Sequence, residues 1–161
     1  MVFVAKIFFV IIAVVIVGFM VVRSMSNKQW AQENIERGKL FLSTNGSAEG
    51  ISVTDSGLQY QVLEKGNGSI RPSSKNTVRV HYHGTLLDGS VFDSSVTRGE
   101  PISFGLHQVI KGWTEGLQLM VVGDKYRLFI PSHLAYGNRS AGSIQPGSTL
   151  IFDVELLGIN E

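Results

Sequence analysis

One stretch constrains this chain before any other: from Val2 to Val22 it reads VFVAKIFFVIIAVVIVGFMVV, apolar throughout except for Lys6. A helix of these 21 residues, rising about 1.5 Å each, would be roughly 30 Å long and would cross the hydrocarbon of a bilayer. β-branched residues lie on every side of such a helix, so it would have no polar face to turn to water. Lys6 can snorkel to the near interface. A cleaved signal peptide would end in small residues, and here only Ser24 and Ser26 imitate them. The stretch is therefore read as an uncleaved transmembrane anchor over residues 1–23.

Residues 24–50 form a stalk and linker. NKQWAQENIERGKLFL places Trp30, Asn34, Arg37 and Phe41 along one side of a short helix, which serves equally well as a solvated spacer or as a contact helix. STNGSAEG, from Ser43, has turn composition, so a folded domain is expected over residues 51–161. That domain is rich in strands. GLQYQVLEKGNG, NTVRVHYHG, DKYRLFIP and STLIFDVELLGI each alternate with period two or carry a β-rich run, and each is bounded by Gly, Pro, Asn or Asp. In KGWTEGLQLM, by contrast, Trp113, Leu117 and Met120 recur at helical spacing. The expected fold class is α+β, an antiparallel sheet curled over one short helix and preceded by a transmembrane helix.

The composition narrows the chemistry. A formal net charge of +1 offers no basic stripe for nucleic acid, and the lack of cysteine removes disulfides, thiolate zinc sites and a cysteine nucleophile. The strand pattern puts His81 and His83 on the wetter face of their strand beside the cationic Arg79, with no third metal ligand indicated nearby. Ser, His and Asp are present without a G-x-S-x-G elbow, and the glycines form neither G-x-G-x-x-G nor a phosphate loop. What remains is a set of aromatic residues at strand ends and turns. Two have settings that plain core does not explain: Phe92, followed by Asp93 after the Asp88-Gly89 turn, and Tyr136 in the loop LAYG.

At these residues the chain resembles the FKBP-type peptidyl-prolyl cis-trans isomerases. VRVHYHGTLLDGSVFDSS, QVIKGWTEGLQLM, GDKYRLFIPSHLAYG and SIQPGSTLIFDVELL match that family's motifs in order and spacing across most of Thr77 to Leu157. SGLQYQVLEKGNG and the helical segment before it are similar to the bacterial macrophage-infectivity-potentiator branch, with an anchor in place of that branch's long dimerisation region. The resemblance implies a five- or six-stranded antiparallel sheet wrapped around the helix, with an apolar cleft between them. Carried over residue by residue, Tyr82, Phe92, Val109, Ile110, Trp113, Ile144 and Phe152 would bind substrate, and Asp93, Tyr136 and the Ile110 N–H would act on the reacting amide. Asp93 would either interact with the rotating carbonyl or order Tyr82 and its loop. Many relatives have an aromatic residue where this chain has Ile102, which would widen that wall.

The implied activity is rotation about Xaa-Pro bonds in folding proteins, without metal or cofactor. The alternative is a membrane-tethered chaperone or docking module for proline segments with little turnover. Partners would be proline-containing unfolded chains, macrolide inhibitors of the rapamycin class, and the membrane through residues 1–23. Orientation is contested within the sequence. Arg23, Lys28, Arg37 and Lys39 outnumber Lys6 and the terminal amine and favour a cytoplasmic domain. The short basic start and the resemblance favour export, giving a single-pass inner-membrane protein with its domain in the periplasm.

Overall fold

The computed structural model describes the backbone of residues 2–160, and the side chains of residue 12 and residues 14–160. Helix α1, Val2–Asn45, is continuous. Arg23 to Ser26 contains no proline or glycine, so nothing stops the helix between the predicted anchor and the predicted stalk. From Val14 to Val22 its side chains are exposed on every side, Val14 at 65% and Phe19 at 66%. Among the described residues no helix is long and apolar enough to cross a membrane. The side chains of residues 1–11 and 13, about half of the anchor expected over residues 1–23, lie outside that description.

The last turns of α1 pack on the domain, which makes the stalk a contact helix. Phe41 meets Phe129 with ring centroids 5.9 Å apart. Gln59 is buried there at 5% exposure, donating to Leu42 O at 2.8 Å and accepting from Asn45 Nδ2 at 2.8 Å. Its amide is therefore satisfied at both ends, the condition for burying a polar side chain without a large penalty.

Beyond α1 come strands β1 (Ile51–Val53), β2 (Gln59–Glu64), β3 (Thr77–Thr85), β4 (Val91–Ser94), β5 (Ile102–Gly105), β6 (Lys125–Ile130) and β7 (Leu150–Ile159), with helix α2 (Ser95–Arg98) after β4 and helix α3 (Lys111–Leu117) before β6. All pairings are antiparallel, in the order β1-β2-β6-β7-β3-β4, and β5 pairs with β3 on the same edge as β4. The sheet is thus six positions wide but contains seven strands, one more than expected. β1 and β5, at three and four residues, are too short for alternation to register in the sequence.

β3 alternates as expected: Val78, Val80 and Tyr82 are buried, while Arg79 is exposed and His81 and His83 lie between. α3 lies against the sheet with Trp113 and Leu117 buried among Leu128, Ile130 and Leu156; the helix ends at Leu117, and Met120, expected to continue it, is buried in the turn beyond. Two glycines set that distance. A Cβ at Gly112 would stand 2.4 Å from Ile130 Cγ2, and one at Gly116 would stand 2.8 Å from Leu128 Cδ1, so α3 can sit this close only without side chains there.

Candidate active site

A cleft of about 980 Å³ opens between the sheet, α3 and the loops of residues 108–110 and 133–144. Trp113, 5% exposed, is its floor, placed by the first turn of α3. Its ring stands edge-on to Tyr82 at 5.2 Å and to Phe152 at 5.1 Å, and is tilted against Phe104 at 5.2 Å. Phe92 meets Phe152 edge-on at 5.2 Å. Such edge-to-face pairs contribute about 0.5–1.5 kcal/mol each beyond area burial and fix the ring orientations. Gly84 makes room for them, because a Cβ there would lie 2.7 Å from Phe92 Cζ and 2.8 Å from Phe152 Cε1. The indole Nε1 of Trp113 is buried with no hydrogen-bond partner among the described residues.

One wall carries charge. The Tyr82 hydroxyl donates to Asp93 Oδ2, Arg98 Nη1 donates to Asp93 Oδ1, and Arg98 Nη2 donates to the Tyr82 hydroxyl at 3.0 Å. The Arg98 guanidinium also lies 5.7 Å from the centroid of the Tyr82 ring. Partial burial works against the Asp93 charge, but the hydrogen bonds from Tyr82 and Arg98 outweigh it and hold the carboxyl below its ordinary range. Burial first, and the bond to Asp93 second, push the Tyr82 hydroxyl above its ordinary range, so it remains a proton donor at neutral pH.

The local sequence builds this wall. Ser94 caps α2 by accepting from the Thr97 N–H at 3.1 Å, and Gly99 ends the helix at φ 73°. The fully buried Ser95 accepts from the Tyr82 N–H at 2.7 Å and contacts His81 Nδ1 at 3.0 Å. α2 is thereby clamped to β3, which sets Asp93 beside Tyr82 and brings Arg98 back over both. Neither Ser95 nor Arg98 is marked by strand or helix periodicity. The available signal was the Ser-Ser-x-x-Arg-Gly pattern of a capped turn directly after Asp93.

All nine residues carried over by resemblance line this one cleft: Tyr82, Phe92, Asp93, Val109, Ile110, Trp113, Tyr136, Ile144 and Phe152. Ile102 and Phe104 line it too, Ile102 at 41% exposure on the edge strand β5. The Ile110 carbonyl accepts the N–H groups of Trp113 and Thr114 to start α3, while its own N–H donates to no group among the described residues. His81 and His83 lie apart from the cleft lining, bonded through Nδ1 to Ser95 and Ser94 at 3.0 Å each. No cluster of three metal-ligating side chains occurs among the described residues. His133, on the turn after Pro131, reaches the cleft edge, with Nε2 2.9 Å from Ser56 O.

Known proteins with this pattern are consistent among themselves. The family model for FKBP-type peptidyl-prolyl cis-trans isomerase matches residues 68–157, and the model for the domain amino-terminal to that isomerase matches residues 13–62, which takes in the stalk and linker. The chain is 55% identical over 131 residues to the FKBP-type peptidyl-prolyl cis-trans isomerase FkpA of Aeromonas hydrophila, covering 81% of this chain and 48% of that protein. It is 53% identical to the FKBP-type 22 kDa isomerase of Escherichia coli, covering 82% and 64%, and 47% identical to the outer membrane protein MIP of Legionella longbeachae, covering 86% and 60%. The chain therefore spans about half to two-thirds of the length of these relatives. The crystal structure of FkpA from Escherichia coli superposes with a TM-score of 0.84 at 43% identity, over 92% of this chain and 71% of that one. With the family model matching more than half its length, the chain belongs to the FKBP-type peptidyl-prolyl cis-trans isomerase family.

Proposed function

We propose that this protein catalyses cis-trans isomerisation of Xaa-Pro bonds in protein clients and is held at a membrane by the first part of α1. The observation that carries the reading is the convergence of Tyr82, Phe92, Trp113 and Phe152 around one open apolar cleft with Asp93, Tyr136 and the Ile110 N–H at its edge. Isomerisation breaks no covalent bond. Its barrier of about 18–20 kcal/mol is the loss of amide resonance, and a hundred-thousandfold acceleration requires roughly 7 kcal/mol. The proline ring lies on Trp113 between Tyr82, Phe92, Val109 and Phe152, where water is excluded. The planar amide is the more charge-separated form, so an apolar site weakens it relative to the twisted one. The Ile110 N–H and the Tyr136 hydroxyl bind carbonyls on one side of the proline while the other side rotates. Ile144 closes the far wall, and Ile102 leaves space for varied side chains before proline. Macrolides of the rapamycin class would compete for the same surface.

A protease-coupled assay of the full chain in detergent micelles tests the enzyme. Acceleration of Xaa-Pro isomerisation is expected, with competition by a macrolide. Binding of unfolded proline-rich chains without acceleration would leave a docking module in its place.

For location we propose a single-pass anchor over residues 1–23 with the domain on the periplasmic side of the inner membrane. The supports are the apolar run from Val2 to Val22, the exposure of its described side chains, and the short basic start. Reporter fusions after Gly50 are expected to be active with a periplasm-only reporter and silent with a cytoplasm-only one, and the reverse pattern would overturn the orientation.

A further inference from the structure

A second recess lies between α1 and the domain. It holds about 200 Å³ and is bounded by Trp30 and Arg37 of α1, by Leu86, Leu87 and Asp88 at the β3–β4 turn, and by Ser143. The helix wall is firmly seated. Asn34 Nδ2 donates to Pro146 O at 2.9 Å, and a Cβ on Gly38 would stand 2.2 Å from Thr149 Oγ1. Gly147, at φ 78°, lies as close to α1, since a Cβ there would be 2.2 Å from Ala31 O. Without a side chain at 147 the loop meets the α1 backbone at Ala31, and without one at 38 the helix backbone meets the Thr149 side chain, so the recess is a built feature of the fold.

Two properties define what it can take. Ser143 lines both this recess and the proline cleft, so one extended chain can occupy both. The lining has no excess of either charge, because Arg37 faces Asp88. The Asp88 carboxyl is held below its ordinary range, foremost by hydrogen bonds from Ser90 and in smaller part by the Arg37 charge. With the charges balanced, the apolar surface comes from the Trp30 ring, 46% exposed, and the two leucines, while Asn34, Gln145, Ser148 and Thr149 make the rest of the lining polar.

We propose that this recess is a subsite for the polypeptide whose proline occupies the cleft, taking an apolar or aromatic side chain that lies outside the Xaa-Pro pair. The proposal rests on the isomerase reading and extends it: α1 contributes directly to client binding. Chain length then becomes a determinant of catalysis, since a substrate too short to pass Ser143 uses the cleft alone.

The test compares kcat/KM of the full chain in detergent micelles on an Xaa-Pro tetrapeptide, on a peptide of about ten residues, roughly 33 Å extended, with Leu or Phe flanking the pair, and on its Ser-flanked counterpart. The apolar long peptide is expected to be preferred. Trp30→Ala is expected to lower the ratio of long apolar peptide to tetrapeptide about tenfold, equivalent to roughly 1.4 kcal/mol, through KM. Gly38→Val, which levers α1 from Thr149 without changing a residue of the recess, is expected to lower the same ratio, and circular dichroism checks that both variants are folded. An unchanged ratio in both variants, or equal use of apolar and Ser-flanked peptides by the unaltered protein, would overturn the subsite. Failure of the unaltered protein on the tetrapeptide would overturn the isomerase reading itself, and the subsite with it.

Discussion

Phe152→Ala is expected to destabilise the protein by about 3–5 kcal/mol and to remove most of its isomerase activity. The ring is 6% exposed and meets three others, Trp113 at 5.1 Å, Phe92 at 5.2 Å and Tyr82 at 6.1 Å. Truncation therefore leaves a void that cannot close, since Gly84, whose register partner across β3 and β7 is Phe152, has no side chain to fill it. For a domain of this size the loss corresponds to a melting temperature lower by roughly 10–20 °C. Activity falls for a separate reason: water enters beside the proline, and the preference of the site for the less charge-separated amide weakens. Phe152→Leu separates the two effects. It keeps most of the volume, is expected to cost less than about 1.5 kcal/mol, and still loses the edge-on contacts that orient Trp113. Thermal melts alongside isomerisation kinetics check both. A Phe152→Ala variant that melts normally and retains full activity would show that this ring neither supports the core nor walls the cleft.

The sequence exposed the sheet more readily than the site. In β3 and β7 one face is buried and the other is not, so Val78, Val80 and Tyr82 on β3, and Phe152, Val154 and Leu156 on β7, announce themselves by period. α3 was legible from the helical spacing of Trp113 and Leu117, although the spacing carried on to Met120, past the helix end at Leu117. The cleft was different. Val109, Ile110 and Ile144 sit in loops with no period to read, and although they stand among the aromatic residues in the sequence, their place in a cleft came only through resemblance to the family motifs. Arg98 escaped both routes, because its role depends on α2 turning it back over Asp93, a tertiary consequence of Ser95 bonding to β3. The continuity of α1 past residue 23 was hidden by a change from apolar to mixed polar composition, which does not by itself mark a helix end. Its docking through Gly38 was hidden too, since a glycine inside a helical pattern reads as a weakness until its partner, here Thr149, is known.

Asp93→Ala is expected to lower kcat/KM about tenfold, equivalent to roughly 1.4 kcal/mol, with little change in melting temperature. Asp93 and Arg98 remain 44% and 49% exposed, and ion pairs so open to water add little stability. The carboxylate's importance lies in what it orients. With Asp93 removed, the Tyr82 hydroxyl loses its acceptor and Arg98 loses its main partner, so the wall above Trp113 is free to shift. The alternative role, direct interaction with the rotating carbonyl, is separable by a double-mutant cycle. If Asp93 acts by ordering Tyr82, then Tyr82→Phe lowers kcat/KM about as much, and the double variant loses little more than either single one. If it acts on the substrate, Tyr82→Phe retains most activity and Asp93→Asn, which keeps the shape but not the charge, behaves like Asp93→Ala. Acid provides an independent check. The folded pKa of Asp93 lies below its unfolded value, so the modest stabilisation from its charge is present above the ordinary carboxylate range of about 4 and is lost as the pH falls through the lower folded value. Arg98→Ala is expected to raise that titration toward the ordinary range, which carboxyl-resolved NMR would register. Full activity in a folded Asp93→Ala protein would remove the carboxylate from the mechanism under either role.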